Sequence, residues 1–349
     1  MTIAVWSPSL FKEDYSISRE FIVETLSAFI LHHPDKKFFI LTDTAPQNSF
    51  PTNTEILLVR PIPKNALLKK IWWELRMPAI LKKIKTDLFI SFENRCSLTV
   101  SIPQSILLQP TETIRPPFIN KAQLVFVLNE SMRNQLRTNH GVQDKKIATI
   151  YPFASKRFRL ADDKEKECIK AEHSEGKEFF LCSSQFSKKG DLIELLKSFS
   201  HFKRRQQSSF KLLLLTESNS GFEKSLSTYK YRSDIKYIGI KNDPAMITAA
   251  AYAVVLPINT NESMIAALNS MQSGVPVIAT KNSVISEMTG DAVLYAEKGI
   301  DDIGDKMMLL YKDENLRSSL IGKGKSLAAT FTQEKTAESL WQSIMKGLQ

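Results

Sequence analysis

The chain has 349 residues, of which 43% are hydrophobic and 24% charged, and a formal charge of +10. Those values exclude a disordered chain and suit a soluble protein with enough length for two domains. Three scattered cysteines (Cys96, Cys168, Cys182) and five histidines without ligand spacing support neither a disulfide framework nor a zinc site, so a reducing compartment fits best.

From the amino end, TIAVW directly after Met1 is strand-like and lacks the basic lead-in and cleavage site of a secretion signal. The longest nearly apolar run, 245–258, is too short to span a bilayer. The expected location is the cytoplasm. A helix is expected over 17–31, where His32-His33 before Pro34 suits a cationic pair at a helix C-terminus. Further strands follow in KKFFILTD, TEILLV, TDLFISF, QSILLQ, QLVFVLN and KIATIY. Between them, residues 60–85 carry eight basic residues against the single acid Glu74, a net of +7 suited to an anionic partner. Within 64–85, Leu67, Leu68, Ile71, Trp72 and Leu75 fall at helical spacing, and Pro78 should break or restart the pattern. Two readings stay open. Either the apolar stripe is core with a wet lysine face, or it is an interfacial segment that meets an anionic membrane at the inner leaflet.

After residue 158 the span RLADDKEKECIKAEHSEGKE is highly charged and reads as a linker over 159–176 with one short solvated helix. Strands resume in EFFLCS, KLLLLT, IKYIGI, YAVVLP, VPVIAT and AVLYA, with a helix over 192–205 whose Lys203-Arg204-Arg205 end suits the helix dipole. Strand–helix alternation of this kind predicts an α/β protein with two doubly wound, Rossmann-like domains facing a cleft. The expected division is 1–158, the linker 159–176, and 177–331, with a last helix over 332–349. Ligands in such sheets bind beyond the carboxyl ends of the strands. There is no G-x-S-x-G elbow, no Walker loop and no G-x-G-x-x-G fingerprint. A nucleic-acid partner has only the charge in its favour.

The most informative stretch is NTNESMIAALNSMQSGVPVIA, residues 259–279, a loop, a helix of small residues, a Ser-Gly stop and a buried strand. With AAYAVVLP before it and KNSVISEMTGDAVLYA after it, this half of the chain resembles the donor domain of retaining glycosyltransferase family 4, of GT-B fold. Weaker similarity lies in WWELRMPAILKKIKTDLFIS, IPQSILLQ and KKIATIYPF. The resemblance implies a metal-independent transfer of a hexose-type sugar from a nucleotide-diphosphate sugar, needing no cofactor. The implied acceptor is a saccharide or lipid-linked saccharide of cell-surface glycan synthesis. It also implies that the last helix crosses back to the first, acceptor-side domain.

Carried over residue by residue, the resemblance puts the family's two donor-binding acids at Asn261 and Asn269, with Glu262 one position off register. Ser263 and Met264 stand at the turn between them, where Ser263 suits a helix cap and Met264 would be strained at positive φ. The phosphate-contacting basic pair falls on Gln185 and, with a shift of one residue, Lys189, with Lys188 beside it. Ser16 and Ser18 replace glycines of the first-domain loop, Gln109 replaces the acceptor-side histidine, and Phe153 replaces another glycine. An amide still donates to and accepts from hydroxyls, but it loses the charge-assisted part of each bond, roughly 1 kcal/mol. The framework of the site is present with many of its ligand-facing residues exchanged. A working transferase and a catalytically silent relative that binds sugar or a partner enzyme both fit.

Overall fold

The computed structural model describes residues 1–8, 10, 11, 16–45, 50–63, 65–108, 115–183, 189–215, 226–239, 243–258, 261–281, 283–297 and 299–348. They form two compact units, one of Met1–Pro152 with Gln333–Gln349 and the other of Phe153–Thr332. Both are Rossmann-like α/β units on a parallel sheet.

Unit 1 holds β1 (Thr2–Trp6), β2 (Lys37–Thr42), β3 (Thr54–Leu58), β4 (Leu88–Ser91), β5 (Gln104–Leu107), β6 (Leu124–Val127) and β7 (Ile147–Thr149). Their order across the sheet is β3-β2-β1-β4-β5-β6-β7. Unit 2 repeats this plan with β8 (Phe179–Cys182), β9 (Lys211–Leu215), β10 (Ile235–Ile238), β11 (Ala253–Leu256), β12 (Val277–Thr280) and β13 (Leu294–Ala296), in the order β10-β9-β8-β11-β12-β13. In each sheet the chain winds one way from the first strand and then returns to wind the other way. That creates a switch point between β1 and β4 and another between β8 and β11. Central strands such as AVVL and LVFV are buried throughout, as strands covered on both faces must be.

Helix α1 (Ile17–Leu31) is capped by Ser16, whose hydroxyl accepts the Arg19 N–H at 3.4 Å. His33 just beyond it does more than suit the dipole: its ring lies tilted against Trp341 with centroids 4.2 Å apart, and burial lowers its pKa below the usual imidazole value. Helix α2 (Ala66–Lys83) starts on Asn65, whose side-chain Oδ1 accepts from the Leu67 and Leu68 N–H groups. It runs straight through Pro78, contrary to the expected break. Trp73, Met77 and Leu81 turn into the core, at 1%, 0% and 2% exposure, whereas Leu67, Leu68, Ile71 and Leu75 are exposed. Of the expected apolar stripe, only Trp72 packs against the core, and the other four members face outward. Helices α3 (Pro116–Lys121) and α4 (Glu130–His140) complete the first pass through unit 1.

Within the charged span after residue 158, α5 (Asp163–Ser174) is closed by a capping box between Asp162 and Glu165 and buries His173 and Ser174 in unit 2. Unit 2 continues with α6 (Lys189–Gln206), α7 (Pro244–Ala250), α8 (Asn261–Gln272), α9 (Ser283–Thr289), α10 (Gly299–Lys312) and α11 (Glu314–Ala328). Lys203 near the end of α6 is buried rather than left to solvate a helix terminus. It pairs with Asp234 at 2.9 Å and donates to the carbonyls of Ser208 and Phe210. The last helix, α12 (Gln333–Leu348), belongs to unit 1, where Thr336 donates to the Tyr151 carbonyl at 2.8 Å and Gln333 to that of Glu24 at 2.6 Å.

The Ser-Gly stop after α8 has a steric basis. Gly274 sits at φ +71°, and a Cβ there would lie 2.5 Å from Leu160. Gly274→Ala should cost about 1–3 kcal/mol, from left-handed strain and the displaced Leu160, measurable as a lower urea midpoint at unchanged m. The His33 contact has a pH signature. A histidine with a depressed folded pKa contributes stability that is complete above the unfolded value of about 6.5 and is lost as pH falls through the folded pKa. The wild-type protein should therefore lose stability on that acid limb, and His33→Phe should flatten it in a pH series of thermal melts.

Candidate functional site

The unit 2 switch point is built by two neighbouring strands, with Ala253 paired to Phe180 and Val254 to Leu181. From the carboxyl end of β8 the chain leads to α6, and from that of β11 it leads to α8. The two helices thus present their N-termini at the same rim. Unsatisfied backbone N–H groups and the helix dipole make such a rim an anion site.

Each helix is held by packing of its far face. Leu192, Leu195, Leu196, Phe199 and Phe202 bury the core side of α6 among Phe180, Phe210 and the β9 leucines. A Cβ on Gly304 of α10 would meet the Ser198 carbonyl at 2.7 Å, so α6 and α10 touch backbone to backbone. On α8, Met264, Ala267 and Leu268 are wholly buried, and Met271 lies against Gly324 of α11.

The residues singled out in the sequence fall as follows. Lys189 and Asn261 are the first residues of α6 and α8, at the switch-point rim. Glu262, half-buried in the first turn of α8, is a carboxylate suited to accepting sugar hydroxyls. Ser263 does not cap α8; it is the third helical residue, and its hydroxyl donates back to the Ile258 carbonyl at 2.5 Å. Met264 is helical and fully buried, so the expected positive-φ strain does not arise. Asn269 is 1% exposed, and its carbonyl oxygen accepts the backbone N–H of Ser155 at 2.9 Å. Gln272, one turn on, donates to the carbonyls of Ser155 and Phe158 at 2.9 and 2.8 Å. Asn269 and Gln272 together clamp the segment that carries Phe153, which is itself buried. Ser18 lies in the first turn of α1, one turn from the carboxyl side of the unit 1 sheet. Gln109, Gln185 and Lys188 lie outside the described residues.

The clamp is what sequence reasoning missed. Its signal is the i, i+3 spacing of two amide side chains, Asn269 and Gln272, in the otherwise mostly apolar second half of the helix. Among the described residues, no group of three or more histidine, cysteine, aspartate or glutamate side chains could hold a metal ion. A concavity of about 1130 Å³ in unit 1, lined by Lys121, Arg133, Asp144, Lys145, Lys146 and Lys346 among others, lies at the starts of β6 and β7. That is the opposite rim from a switch point, so it is no part of the site.

The sequence profile of the family described as Glycosyl transferases group 1 matches residues 163–327, a span that takes in α5 to α11 and both helix N-termini. A glycosyltransferase from Rickettsia africae ESF-5 superposes with a TM-score of 0.77 at 13% identity, covering 100% of this chain and 98% of that one. WaaG, a glycosyltransferase involved in lipopolysaccharide biosynthesis, gives 0.75 at 12% identity, over 97% and 98% of the two chains. Anabaena HepE in complex with UDP and glucose gives 0.73 at 12% identity, over 99% of each. At these identities the likeness establishes the fold alone, two Rossmann-like domains of GT-B type. No curated protein matches the sequence.

If Asn269 serves the clamp, Asn269→Leu should leave the buried Ser155 N–H without an acceptor and cost about 1–3 kcal/mol in urea unfolding. Asn269→Asp keeps an acceptor there and should retain more of that stability.

Proposed function

We propose that this chain is a glycosyltransferase that moves a sugar from a nucleotide-diphosphate sugar to a saccharide or lipid-linked saccharide acceptor, with retention and without a metal. The observation that carries this reading is the convergence of the α6 and α8 N-termini on the unit 2 switch point, inside the segment matched by the transferase profile. A diphosphate leaving group develops negative charge as the glycosidic bond breaks, and fixed amide dipoles with a lysine stabilise that charge without reorganisation. Lys189 is assigned to the diphosphate, supported by Lys188 and Gln185. Asn261 and Glu262 are assigned to sugar and ribose hydroxyls. Asn269 is a positioning residue that holds the 153–158 segment against α8. On the unit 1 side, Ser18 is assigned to the donor phosphates, and Gln109 takes the acceptor-side role of the family's histidine. A role in cell-surface glycan synthesis is in keeping with WaaG, and UDP-glucose is the first donor to try because HepE was captured with UDP and glucose.

The second reading is a catalytically silent relative that binds a sugar or a partner transferase. It is favoured by Asn269, an amide at an acid position whose oxygen is already used inside the protein.

A thermal-shift series with UDP, GDP, ADP and their sugars separates the two. One nucleotide should raise the melting temperature with concentration, the stabilisation reaching about 2.7 kcal/mol at a hundred times Kd. Lys189→Ala should remove most of that shift. If no nucleotide shifts the protein at millimolar concentration, the transferase reading is lost. A nucleotide sugar that binds but is never turned over with any saccharide acceptor supports the silent reading.

A further inference from the structure

Helix α2 has two apolar faces, and only one of them is used by the fold. The inner face places Trp73 edge-on to Trp6 at 5.1 Å and packs Met77 and Leu81 among β-strand side chains. The outer face exposes Leu67, Leu68, Ile71 and Leu75 at 66%, 56%, 49% and 71%. Isolated exposed leucines need no explanation, but four large apolar side chains on one continuous helix face do.

The position of this face follows from helix polarity. The chain leaves β3 at its carboxyl end and must return to the start of β4, so α2 begins at the carboxyl rim. Trp73 marks the level of that rim, because it packs on the last residue of β1 and its indole N–H donates to the Cys96 carbonyl just beyond β4, at 3.1 Å. Leu67 lies six residues earlier on the helix, about 9 Å further out at 1.5 Å per residue. The exposed leucines of the first turns therefore overhang the rim of unit 1 where ligands of a parallel sheet bind.

The surroundings of the patch identify the occupant by charge. Residues 60–85 carry a net of +7. Lys69, Lys70, Arg76, Lys82, Lys83 and Lys85 are exposed, and their side chains make no hydrogen bond or ion pair among the described residues. A second copy of the chain docking face to face would set this charge against itself. An anionic bilayer satisfies both needs, taking the leucines into the headgroup–acyl boundary and the cations at its surface. Among the described residues no helix is long and apolar enough to cross a membrane, so attachment here would be from one side.

We infer that the outer face of α2 docks on an anionic phospholipid bilayer and sets the carboxyl rim of unit 1 at the membrane surface. Where unit 1 receives the acceptor, which rests on the function proposed above, that geometry selects a lipid-linked saccharide over a free one.

The test is co-sedimentation of the whole protein with phosphatidylcholine vesicles made with and without phosphatidylglycerol. Binding should require phosphatidylglycerol and weaken with salt, and Lys69→Ala with Lys70→Ala should each cost roughly five-fold in partition. The triple variant Leu67→Ser, Ile71→Ser, Leu75→Ser should lose at least roughly ten-fold at an unchanged melting temperature, since its side chains leave the core untouched. The inference is overturned by absence of lipid-dependent binding, by binding that the triple variant retains in full, or by a wild-type dimer that the triple variant converts to monomer. Nucleotide-induced stabilisation is measured without vesicles, so the docking and the transferase readings fall separately.

Discussion

Two helices that leave neighbouring parallel strands and pack on opposite faces of the sheet cannot close over the gap between them. That restriction, imposed at β8 and β11 by the strand order of unit 2, is what the site depends on. It forces the N-termini of α6 and α8 to the same rim and leaves their amides facing a crevice. The rest of unit 2 keeps those two helices where the strands put them. Close contacts at Gly304 and Gly324 fix their depth, and the Asn269–Gln272 clamp ties the entering segment 153–158 to α8.

The same arrangement makes Asn261 and Asn269 chemically unequal. Asn261 opens α8 at the rim, where an amide can meet a ligand hydroxyl from either side of the hydrogen bond. Asn269 is two turns deeper and in contact with the protein's own backbone. An acid at that depth would carry a desolvation cost that an amide avoids. Asn261 is thus placed at the rim, whereas Asn269 bears on how the protein holds itself together.

Much of the fold was legible in the sequence because strands covered on both faces must be apolar end to end. Runs such as KKFFILTD, QLVFVLN and YAVVLP lie on β2, β6 and β11, and the expected 17–31 helix coincides with α1. What stayed illegible depends on which of two faces a residue turns, or on a partner far along the chain. Periodicity showed that residues 67–75 of α2 hold an apolar stripe but not that Trp73, Met77 and Leu81 would win the core. Lys203 looked like helix-end charge because Asp234 is distant in sequence, and His33 looked cationic because Trp341 is more distant still. At the site, the frame was readable from Ser-Gly-Val-Pro and its neighbours, while the inward use of Asn269 was not.

The return of α12 to the first unit has a consequence for how the protein comes into being. Unit 1 is assembled from two stretches of chain with the whole of unit 2 between them. While the ribosome is still making unit 2, the surface of Phe29 and His33 that Trp341 will cover stays open to the cell. The domain whose strands are made first is thus completed only after unit 2 has been synthesised, when α12 is added to it.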